Sequence, residues 1–452
     1  MILTKKAKKA LNLLSIFFFV YIFNLILFGR TLNGLQILGY RVGELLIGFA
    51  LFLSLFIFFK RKIFIIDKKI FYNFLILIGF FLITFYFSNS SFLNTYTYKA
   101  SSYIWTISYL YFGTVIFQSK HTEKFIKYLY LTLPLTFIFS MMFFPNPIFN
   151  FFVKYSDKFD YLKASDILLA YVLLNFLTKR YNPDSDFSFI YFITSSMLFA
   201  PLFSYMSRGA FLAFLLYVVI EIYLKRKYIV KNLLKAAIIT IFSYSLFAFS
   251  TIVIMTDIDF EFLNFGKKLE VQHESQIIEV ERREFLNEKI NLVFQDRNFF
   301  GVTVSIIYLD GRFYSQEPTV NWRLQLWQDI IEDLNQKNKI FIGYGYSDII
   351  PAMKLPDNNG NDSTNENLHN YFMQVYAKGG LIQLLLVLSN IVLIIIFWKN
   401  KKNNYIILHY LLPIITVSMF DPTLESVRFP LLYYSFLGYF LYNENAYKTE
   451  DN

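Results

Sequence analysis

The sequence predicts an all-α polytopic membrane protein with about 12 transmembrane helices and one large, partly helical extracytoplasmic loop. Hydrophobic residues make up 56% of the 452 residues and charged residues only 17%, whereas soluble domains are usually about 25% charged. Apolar segments close to the roughly 20 residues that cross a bilayer recur along the chain. Because the chain has no cysteine, disulfide frameworks, thiolate metal sites and cysteine nucleophiles are excluded.

Twelve apolar segments qualify as predicted spans, and several are so short that neighbouring pairs could instead be re-entrant. The first follows a basic start, as in a signal peptide, but it lacks a small-residue cleavage site, which favours an uncleaved helix. The predicted spans are 11–28, 37–59, 70–87, 100–117, 128–144, 164–178, 187–206, 209–224, 236–254, 379–398, 405–420 and 429–442.

The positive charge of the chain lies in short runs between the spans. The net charge is +10, yet residues 255–370 hold 19 acidic and 11 basic residues, and the remainder holds 32 basic and 14 acidic residues. Twelve spans place the basic runs on one side of the membrane, as the positive-inside rule describes. Both termini are therefore predicted to be cytoplasmic and the 255–370 loop extracytoplasmic, and no nucleic-acid partner is expected.

This topology divides the chain into spans 1–9 (1–254), an extracytoplasmic loop subdomain (255–370), and spans 10–12 with a cytoplasmic tail (371–452).

Three segments of the predicted loop have an informative pattern. Gln276–Leu292 places apolar residues among Glu and Arg, which is typical of a solvated helix. Asn321–Leu334 carries apolar residues at helical spacing and is predicted to be an amphipathic helix. Asp357–Asn367 is rich in Asn, Asp and Gly and is predicted to be a loop, with a weakly specific glycosylation sequon at Asn361.

Two arginines near the predicted outer face are candidates for binding an anion. Arg208 lies between two spans, where it either extends to lipid headgroups or holds phosphate oxygens with its planar fork. Arg323 follows Trp322 and lies four residues before Trp327, on one face of the predicted helix. Aromatic rings stack on sugars and Arg binds phosphate, but packing and a solvated charge explain the same pattern.

His369 and Asn370 stand where the polar loop meets the tenth predicted span. A histidine at this boundary is commonly structural, although an imidazole with its ordinary pKa of about 6.5 can accept a proton near neutral pH. The four histidines of the chain are too scattered for a metal cluster.

Other short motifs are weaker. The pairs Asp184-Ser185-Asp186 and Asp257-Ile258-Asp259 resemble the divalent-ion sites of nucleotide-sugar transferases, but such pairs are more often solvated loop acids. Gly343-Tyr344-Gly345 is not followed by the rest of a dinucleotide-binding motif.

Several features follow one another in a fixed order along the chain. They are Ser207-Arg208-Gly209, the large outer loop between spans nine and ten, Asn321-Trp322-Arg323 with Trp327, Gly343-Tyr344-Gly345, His369-Asn370, Gly379-Gly380, and Asp421 with Glu425 and Arg428. This order resembles the bacterial O-antigen polymerase/ligase superfamily, over most of the chain and most densely from 160 to 440. Where the ligase-type pattern often has Gly, Thr or Tyr three residues after the second glycine of the pair, this chain has Gln383.

The resemblance implies transfer of a glycan from undecaprenyl diphosphate onto an acceptor hydroxyl, at the outer face of the bacterial inner membrane. By this resemblance, Arg208 and Arg323 would bind the diphosphate of the donor, and His369 would be the catalytic base. Trp322, Trp327 and Asn370 are predicted to contact the substrate. Fixed Arg donors stabilise the charge that develops on a diphosphate leaving group, so no metal or cofactor is expected.

Three functions remain open at this stage. A polymerase would use another lipid-linked glycan as acceptor, and a ligase would use the lipid A core. A transporter or flippase for lipid-linked saccharide would place ionisable groups or broken helices at mid-membrane. Because the predicted spans are nearly charge-free, the sequence favours an outer-face enzyme, and slightly favours the polymerase.

Overall fold

The computed structural model describes residues 5–61, 66–117, 122–156, 162–181, 185–255, 266–267, 306–309, 311–315, 318–355 and 366–446. Several sequence predictions lie outside the described residues. They are the helix at Gln276–Leu292, the pair Asp257 and Asp259, the sequon at Asn361, most of the loop 357–367, and two histidines, His121 and His273.

Helices dominate the described residues. The helices are α1 (Lys5–Phe28), α2 (Arg30–Asn33), α3 (Val42–Arg61), α4 (Lys68–Phe87), α5 (Thr95–Ala100), α6 (Ser102–Trp105), α7 (Ser108–Ile116), α8 (Thr122–Leu129), α9 (Thr132–Phe137), α10 (Asn146–Tyr155), α11 (Ala164–Tyr181), α12 (Asp186–Met206), α13 (Arg208–Lys231), α14 (Leu233–Met255), α15 (Pro318–Gln336), α16 (Tyr371–Lys402), α17 (Ile407–Ser418) and α18 (Arg428–Ala446).

The described strands are short and pair in sequence order as antiparallel ladders, β1 with β2, β3 with β4 and β5 with β6. The strands are β1 (Gln36–Ile37), β2 (Tyr40–Arg41), β3 (Phe144–Pro145), β4 (Gly266–Lys267), β5 (Ile306–Leu309) and β6 (Arg312–Ser315).

Within the described residues, five helical segments are long and apolar enough to cross a membrane by length and composition. They are Lys68–Phe87, Thr122–Met142, Asp186–Met206, Leu233–Met255 and Tyr371–Lys402. Shorter apolar helices cover Asn12–Phe28, Val42–Phe56 and Ile407–Ser418. The chain is thus an all-α membrane protein, as predicted, and the number of 12 spans stays a prediction.

The predicted span 100–117 is not one helix. The chain forms three short helices here, α5, α6 and α7, interrupted at Ser101 and again at Thr106 and Ile107. The Ser101 hydroxyl donates to the Thr97 carbonyl at 2.7 Å, and the Ser108 hydroxyl donates to the Trp105 carbonyl at 2.6 Å. Such hydroxyls compete with the backbone for helix carbonyls, an effect that a hydropathy pattern does not report.

The predicted span 128–144 is also interrupted. Helices α8 and α9 are followed by a π-helical turn at Ile138–Met142. Pro134 lies in α9 and has no N–H with which to reach the Tyr130 carbonyl. The Tyr191 hydroxyl donates to that carbonyl instead, at 3.1 Å, so a side chain from α12 compensates for the bond that proline removes.

Two further predicted spans begin elsewhere than expected. The span 37–59 starts with the tight β1–β2 hairpin, and its helix begins at Val42. The span 379–398 belongs to α16, which begins earlier, at Tyr371. Both shifts arise from local turn and capping interactions, which hydropathy does not detect.

The chain forms two compact units. The first comprises 1–72, 104–272 and 391–452, and the second comprises 73–103 and 273–390. The core of the first unit includes α11, whose residues from Ala164 to Thr178 are nearly all buried. A helix that is apolar around its whole circumference is expected at the centre of a bundle.

Helices α7 and α18 of the first unit approach each other closely. A Cβ atom on Gly113 would collide with the Ser435 backbone, and one on Gly438 would collide with the Leu110 backbone. Small residues permit this backbone-to-backbone packing, which is a common way for helices to associate in membranes.

Candidate functional site

The second unit contains the amphipathic helix α15. Leu326, Ile330 and Leu334 are buried on one face, and this face joins an apolar cluster with Ile350, Met353, Leu368 and Ala377. This arrangement confirms the helix predicted from Asn321 to Leu334. It also places Trp322, Arg323 and Trp327 on a helix with a fixed orientation inside the unit.

The β5–β6 hairpin is fastened to α15 through the backbone of Phe313. Its N–H donates to Gln328 Oε1 at 2.7 Å, and its carbonyl accepts from the amides of Gln325 and Gln328 at 2.8 and 3.0 Å. Arg312 forms an ion pair with Asp329 at 2.5 Å. These bonds fix the hairpin on α15 and further restrain that helix.

The segments around Gly343-Tyr344-Gly345 and Gly379-Gly380 are joined by backbone hydrogen bonds. Helix α16 breaks at Gly380, whose φ of 72° and ψ of −176° are not helical. Leu381 N–H therefore does not bond the Ala377 carbonyl but donates to Ile340 at 2.8 Å. The Ala377 and Lys378 carbonyls instead accept from the N–H groups of Tyr344 and Gly345, at 2.8 and 2.9 Å.

The segment Gly343–Gly345 is thus inserted into the break of α16. Both glycines have positive φ, 68° and 88°, which only glycine adopts readily. A Cβ at Gly343 would collide with the Lys378 backbone, and one at Gly380 with the Phe341 backbone. The motif 343–345 is explained by this packing, so it is no phosphate-cradling loop.

Tyr344 also ties this segment to α15. Its hydroxyl donates to Asp333 Oδ2 at 2.5 Å, and Lys337 Nζ lies 2.8 Å from Oδ1 of the same carboxylate. Burial alone would raise the pKa of Asp333, but these two donors outweigh it and hold that pKa below its ordinary value. Asp333 is therefore a charged acceptor that anchors the segment.

His369 stands immediately before α16 in a left-handed backbone conformation, with φ of 49°. Asn370 caps the helix, because its Oδ1 accepts from the N–H groups of Phe372 and Met373 at 2.9 and 3.1 Å. Non-glycine residues with positive φ are uncommon, although histidine is among the types that tolerate it. Helix α16 thus begins directly after this pair, at Tyr371, eight residues before the predicted span 379–398.

The structure brings Trp322 and His369 together. Their rings meet edge to face, with centroids 5.6 Å apart and planes at 70°. Both side chains are half-buried, and so is Arg323, the next residue on α15. Three of the predicted site residues therefore belong to one small region of the second unit.

Trp327 lies on the same helix but has a different environment. Its indole N–H donates to the Leu368 carbonyl at 2.9 Å, and its ring packs against the apolar cluster. Trp327 is thus in contact with the residue that precedes His369.

Two polar side chains of this unit, Lys378 and Gln383, are buried and hydrogen-bonded in a way that the sequence did not predict. Lys378 is fully buried, and its ammonium donates to the Asp348 carbonyl at 2.6 Å, with the Tyr96 ring 4.9 Å away. Gln383 is buried too and accepts from the hydroxyls of Tyr103 and Tyr346, at 2.5 and 2.8 Å. Gln383 thus serves internal packing, which explains its departure from the ligase-type pattern without reference to substrate.

Arg208 belongs to the first unit, where it is the first residue of α13 and is exposed. The preceding Ser207 caps this helix by accepting from the Ala210 N–H at 3.3 Å. A Cβ atom on Gly209 would collide with the Phe420 side chain. The Ser-Arg-Gly motif therefore combines a cap, an exposed cation and a close contact with the segment that follows α17.

The same segment contains Asp421 and leads to Arg428, two of the residues on which the family resemblance rests. Asp421 accepts from the Ser165 hydroxyl at 2.6 Å. Arg428 forms a two-point ion pair with Asp166, with Nε–Oδ1 of 2.9 Å and Nη2–Oδ2 of 2.8 Å. These contacts attach the start of α11 to Asp421, which precedes α18, and to Arg428, the first residue of α18. In this structure Asp421 and Arg428 therefore hold the two helices together.

A buried charged cluster lies further along α13. Glu221 is 1% exposed, and its carboxylate lies 3.3 Å from the ammonium groups of both Lys179 and Lys225. His409 Nε2 lies 3.0 Å from the same carboxylate, and the imidazole stacks on Tyr217 at 4.1 Å. The Glu221 cluster, as we call these four charged or titratable residues, is about 20 Å along α13 from Arg208, at about 1.5 Å per residue.

Glu221 lies inside the predicted span 209–224 and is one of the few charged residues of the predicted spans. The sequence shows this residue, but only the structure shows that it is buried together with Lys179, Lys225 and His409. Among the residues that the structure describes, no three His, Asp or Glu side chains are grouped as metal ligands would be.

Together these features define an all-α membrane protein in which His369, at the start of a long helix, contacts Trp322, and Arg323 is the next residue on α15. Residues 192–388 match the family described as O-antigen ligase, a range that includes α13, α15 and His369 but not Arg428. No curated protein matches the chain. The family match confirms the resemblance to the O-antigen polymerase/ligase superfamily and supports a ligase or polymerase type of function in broad terms.

Proposed function

We propose that this protein is a membrane glycosyltransferase of the surface-polysaccharide polymerase type. It moves a glycan from undecaprenyl diphosphate onto a hydroxyl of another lipid-linked glycan, at the outer face of the bacterial inner membrane. The observation that carries the proposal is the placement of His369, held in a left-handed turn at the start of α16 and in contact with Trp322.

In the proposed reaction His369 is the general base. It takes the proton of the acceptor hydroxyl while the acceptor oxygen forms a bond to the anomeric carbon of the donor. The bond between that carbon and the diphosphate oxygen breaks, and its electron pair stays on the diphosphate. The transfer step needs no metal, because guanidinium groups can stabilise the leaving diphosphate.

Arg323 and Trp322 are proposed to contact the donor. They are neighbours on α15, and Trp322 touches the proposed base, so a sugar near Trp322 would have its reacting carbon near His369. The half-buried guanidinium of Arg323 offers a planar fork that matches phosphate oxygens.

Arg208 is proposed to bind donor phosphate as well. Its exposed guanidinium stands at the N-terminal end of the long helix α13, where the helix dipole favours negative charge. Asn370 is proposed to contribute through its backbone or by fixing the turn, since its side-chain oxygen already caps α16.

The proposed topology places both termini in the cytoplasm and residues 255–370 in the periplasm. The charge reversal between that segment, with 19 acidic and 11 basic residues, and the basic remainder supports it. A periplasmic loop would let an acceptor glycan reach His369 from water while the prenyl tail stays in lipid.

Two alternatives differ in what the chain acts on. A ligase would use the same residues with the lipid A core as acceptor. A transporter of lipid-linked saccharide is favoured by one observation, the Glu221 cluster inside a predicted span, since such groups often mark translocation pathways.

Gene deletion followed by analysis of surface and lipid-linked glycan separates the three functions. A polymerase predicts single repeats on the surface and loss of long chains. Full-length chains stranded on the prenyl carrier would indicate a ligase, and donor trapped in the cytoplasmic leaflet would indicate a flippase. Either of the last two results contradicts the proposed function.

A further inference from the structure

The residue before His369 is fixed by three contacts. The Leu368 side chain is fully buried in the apolar cluster of the second unit. Its carbonyl accepts from the Trp327 indole N–H at 2.9 Å, and its N–H donates to Gln374 Oε1 at 3.3 Å. Both polar groups of the Leu368 backbone are therefore bonded to side chains from helices.

The residue after His369 is fixed as well. Asn370 caps α16 through its side chain, and its carbonyl accepts from the Gln374 N–H at 3.0 Å. Gln374 thus contacts both flanks of His369, with its backbone on one side and its side chain on the other. Its side chain is 2% exposed, so these bonds are shielded from water.

The backbone of His369 itself is unfavourable. A non-glycine residue in the left-handed region costs roughly 1–3 kcal/mol and persists only where the surroundings over-determine it. The contacts of Leu368 and Asn370 supply this restraint. They set the direction in which the His369 side chain leaves the chain, towards the Trp322 ring.

We propose that Trp327 and Gln374 are positioning residues for His369, an inference that rests on the proposed role of His369 as base. Trp327 then acts through its N–H bond to Leu368, rather than as a platform on which a sugar stacks. Gln374 acts through its bond to the Leu368 N–H. Neither residue touches substrate, and both set the geometry of proton transfer.

The test uses substitutions that remove the side-chain bond to the Leu368 backbone while keeping most of the side-chain bulk. Trp327→Phe removes the indole N–H, and Gln374→Leu removes the side-chain acceptor. Matched controls are Trp398→Phe, which removes an indole bond to Asn404 of 2.9 Å in the first unit, and Gln328→Leu, which removes two of the bonds between α15 and the Phe313 backbone.

Trp327→Phe and Gln374→Leu should lower kcat about 10–100-fold with the KM of donor and acceptor unchanged, as expected for a misplaced catalytic group. Both controls should stay within about threefold of wild type. A raised KM for glycan at unchanged kcat in Trp327→Phe would make that residue a sugar platform and overturn the proposal.

A spectroscopic measurement separates positioning from catalysis. The chain has four histidines, so selectively labelled imidazoles give few NMR signals, and His369→Ala identifies one of them. In Trp327→Phe and Gln374→Leu the His369 signal should shift while that of His409 stays in place. Unmoved His369 signals in both variants would refute the positioning roles, whatever the activity of His369→Ala.

The activity of His369→Ala tests the proposed function separately. If that variant stays fully active, His369 is not the base, and the NMR shifts alone then report whether Trp327 and Gln374 orient its ring. If it is inactive while Trp327→Phe and Gln374→Leu keep wild-type kcat, the base stands and the positioning inference fails.

Discussion

Replacement of Glu221 by Gln should destabilise the protein strongly. The variant keeps the shape of the side chain but removes the negative charge that lies 3.3 Å from both Lys179 and Lys225. Side-chain exposures are only 2% for Glu221, 6% for Lys225 and 15% for Lys179. Water therefore cannot replace the lost carboxylate.

Removal of one partner from a buried ion pair generally costs about 3–5 kcal/mol, because a charge is left buried and uncompensated. In Glu221→Gln, Lys225 would keep its bond to the Ser188 hydroxyl, of 2.8 Å, so the lower half of that range is expected. The corresponding fall in the midpoint of thermal unfolding in detergent is roughly 3–6 °C for a chain of this length.

A matched control is Glu44→Gln in α3. Glu44 pairs with Arg41 at 3.6 Å, and their side chains are 51% and 43% exposed. Surface pairs of this kind contribute about 0–1 kcal/mol, so the midpoint should move by roughly 2 °C or less. The double variant Glu221→Gln with Lys225→Met removes one uncompensated cation and should recover part of the loss.

An unfolding midpoint of Glu221→Gln within about 1 °C of wild type would refute this reasoning about buried charge. It would mean that the lysines are neutral or hydrated in the membrane. A stable variant that loses lipid-linked saccharide transport would instead favour the transporter alternative.

Three further predictions concern the proposed site and the topology. Arg208→Lys and Arg323→Lys keep the charge but lose the bidentate fork, so each variant should form much less polymer. Near wild-type polymer in both variants would show that the arginines do not bind the donor diphosphate. A cysteine placed at the exposed position Gln336 should react with an impermeant thiol reagent in intact spheroplasts. A cysteine at the exposed position Lys227 should react only after lysis, and the reverse labelling pattern would overturn the topology. Gly380→Ala should destabilise the second unit, because its φ of 72° is strained for alanine and a Cβ would collide with Phe341; an unchanged unfolding midpoint would contradict that packing.

Several features were predictable from the sequence because they depend on local patterns. Helix α15 follows from Leu326, Ile330 and Leu334, which recur at the helical period and are buried together. The junction of the polar loop with the tenth span at His369 and Asn370 follows from the change from polar to apolar residues, although the helix begins at Tyr371 rather than at 379.

Other features depend on contacts that no local pattern reports. The insertion of Gly343–Gly345 into α16 requires a helix break at Gly380, far away in the sequence. The break in the predicted span 100–117 depends on hydroxyl groups that compete for carbonyls. The Glu221 cluster gathers residues from three helices around one acid, and only the structure shows that they meet.

The measurement that tests the central claim most directly is glycan transfer by purified His369→Gln, with undecaprenyl-diphosphate-linked donor and a glycan acceptor. Glutamine can hydrogen-bond but cannot take up the proton, and loss of a general base typically lowers the rate about 10²–10⁴-fold. His273→Gln makes the same change elsewhere in the predicted loop and serves as the control. The account predicts that His369→Gln loses transfer by such a factor while it still binds donor and the control stays active; full activity of His369→Gln would contradict it.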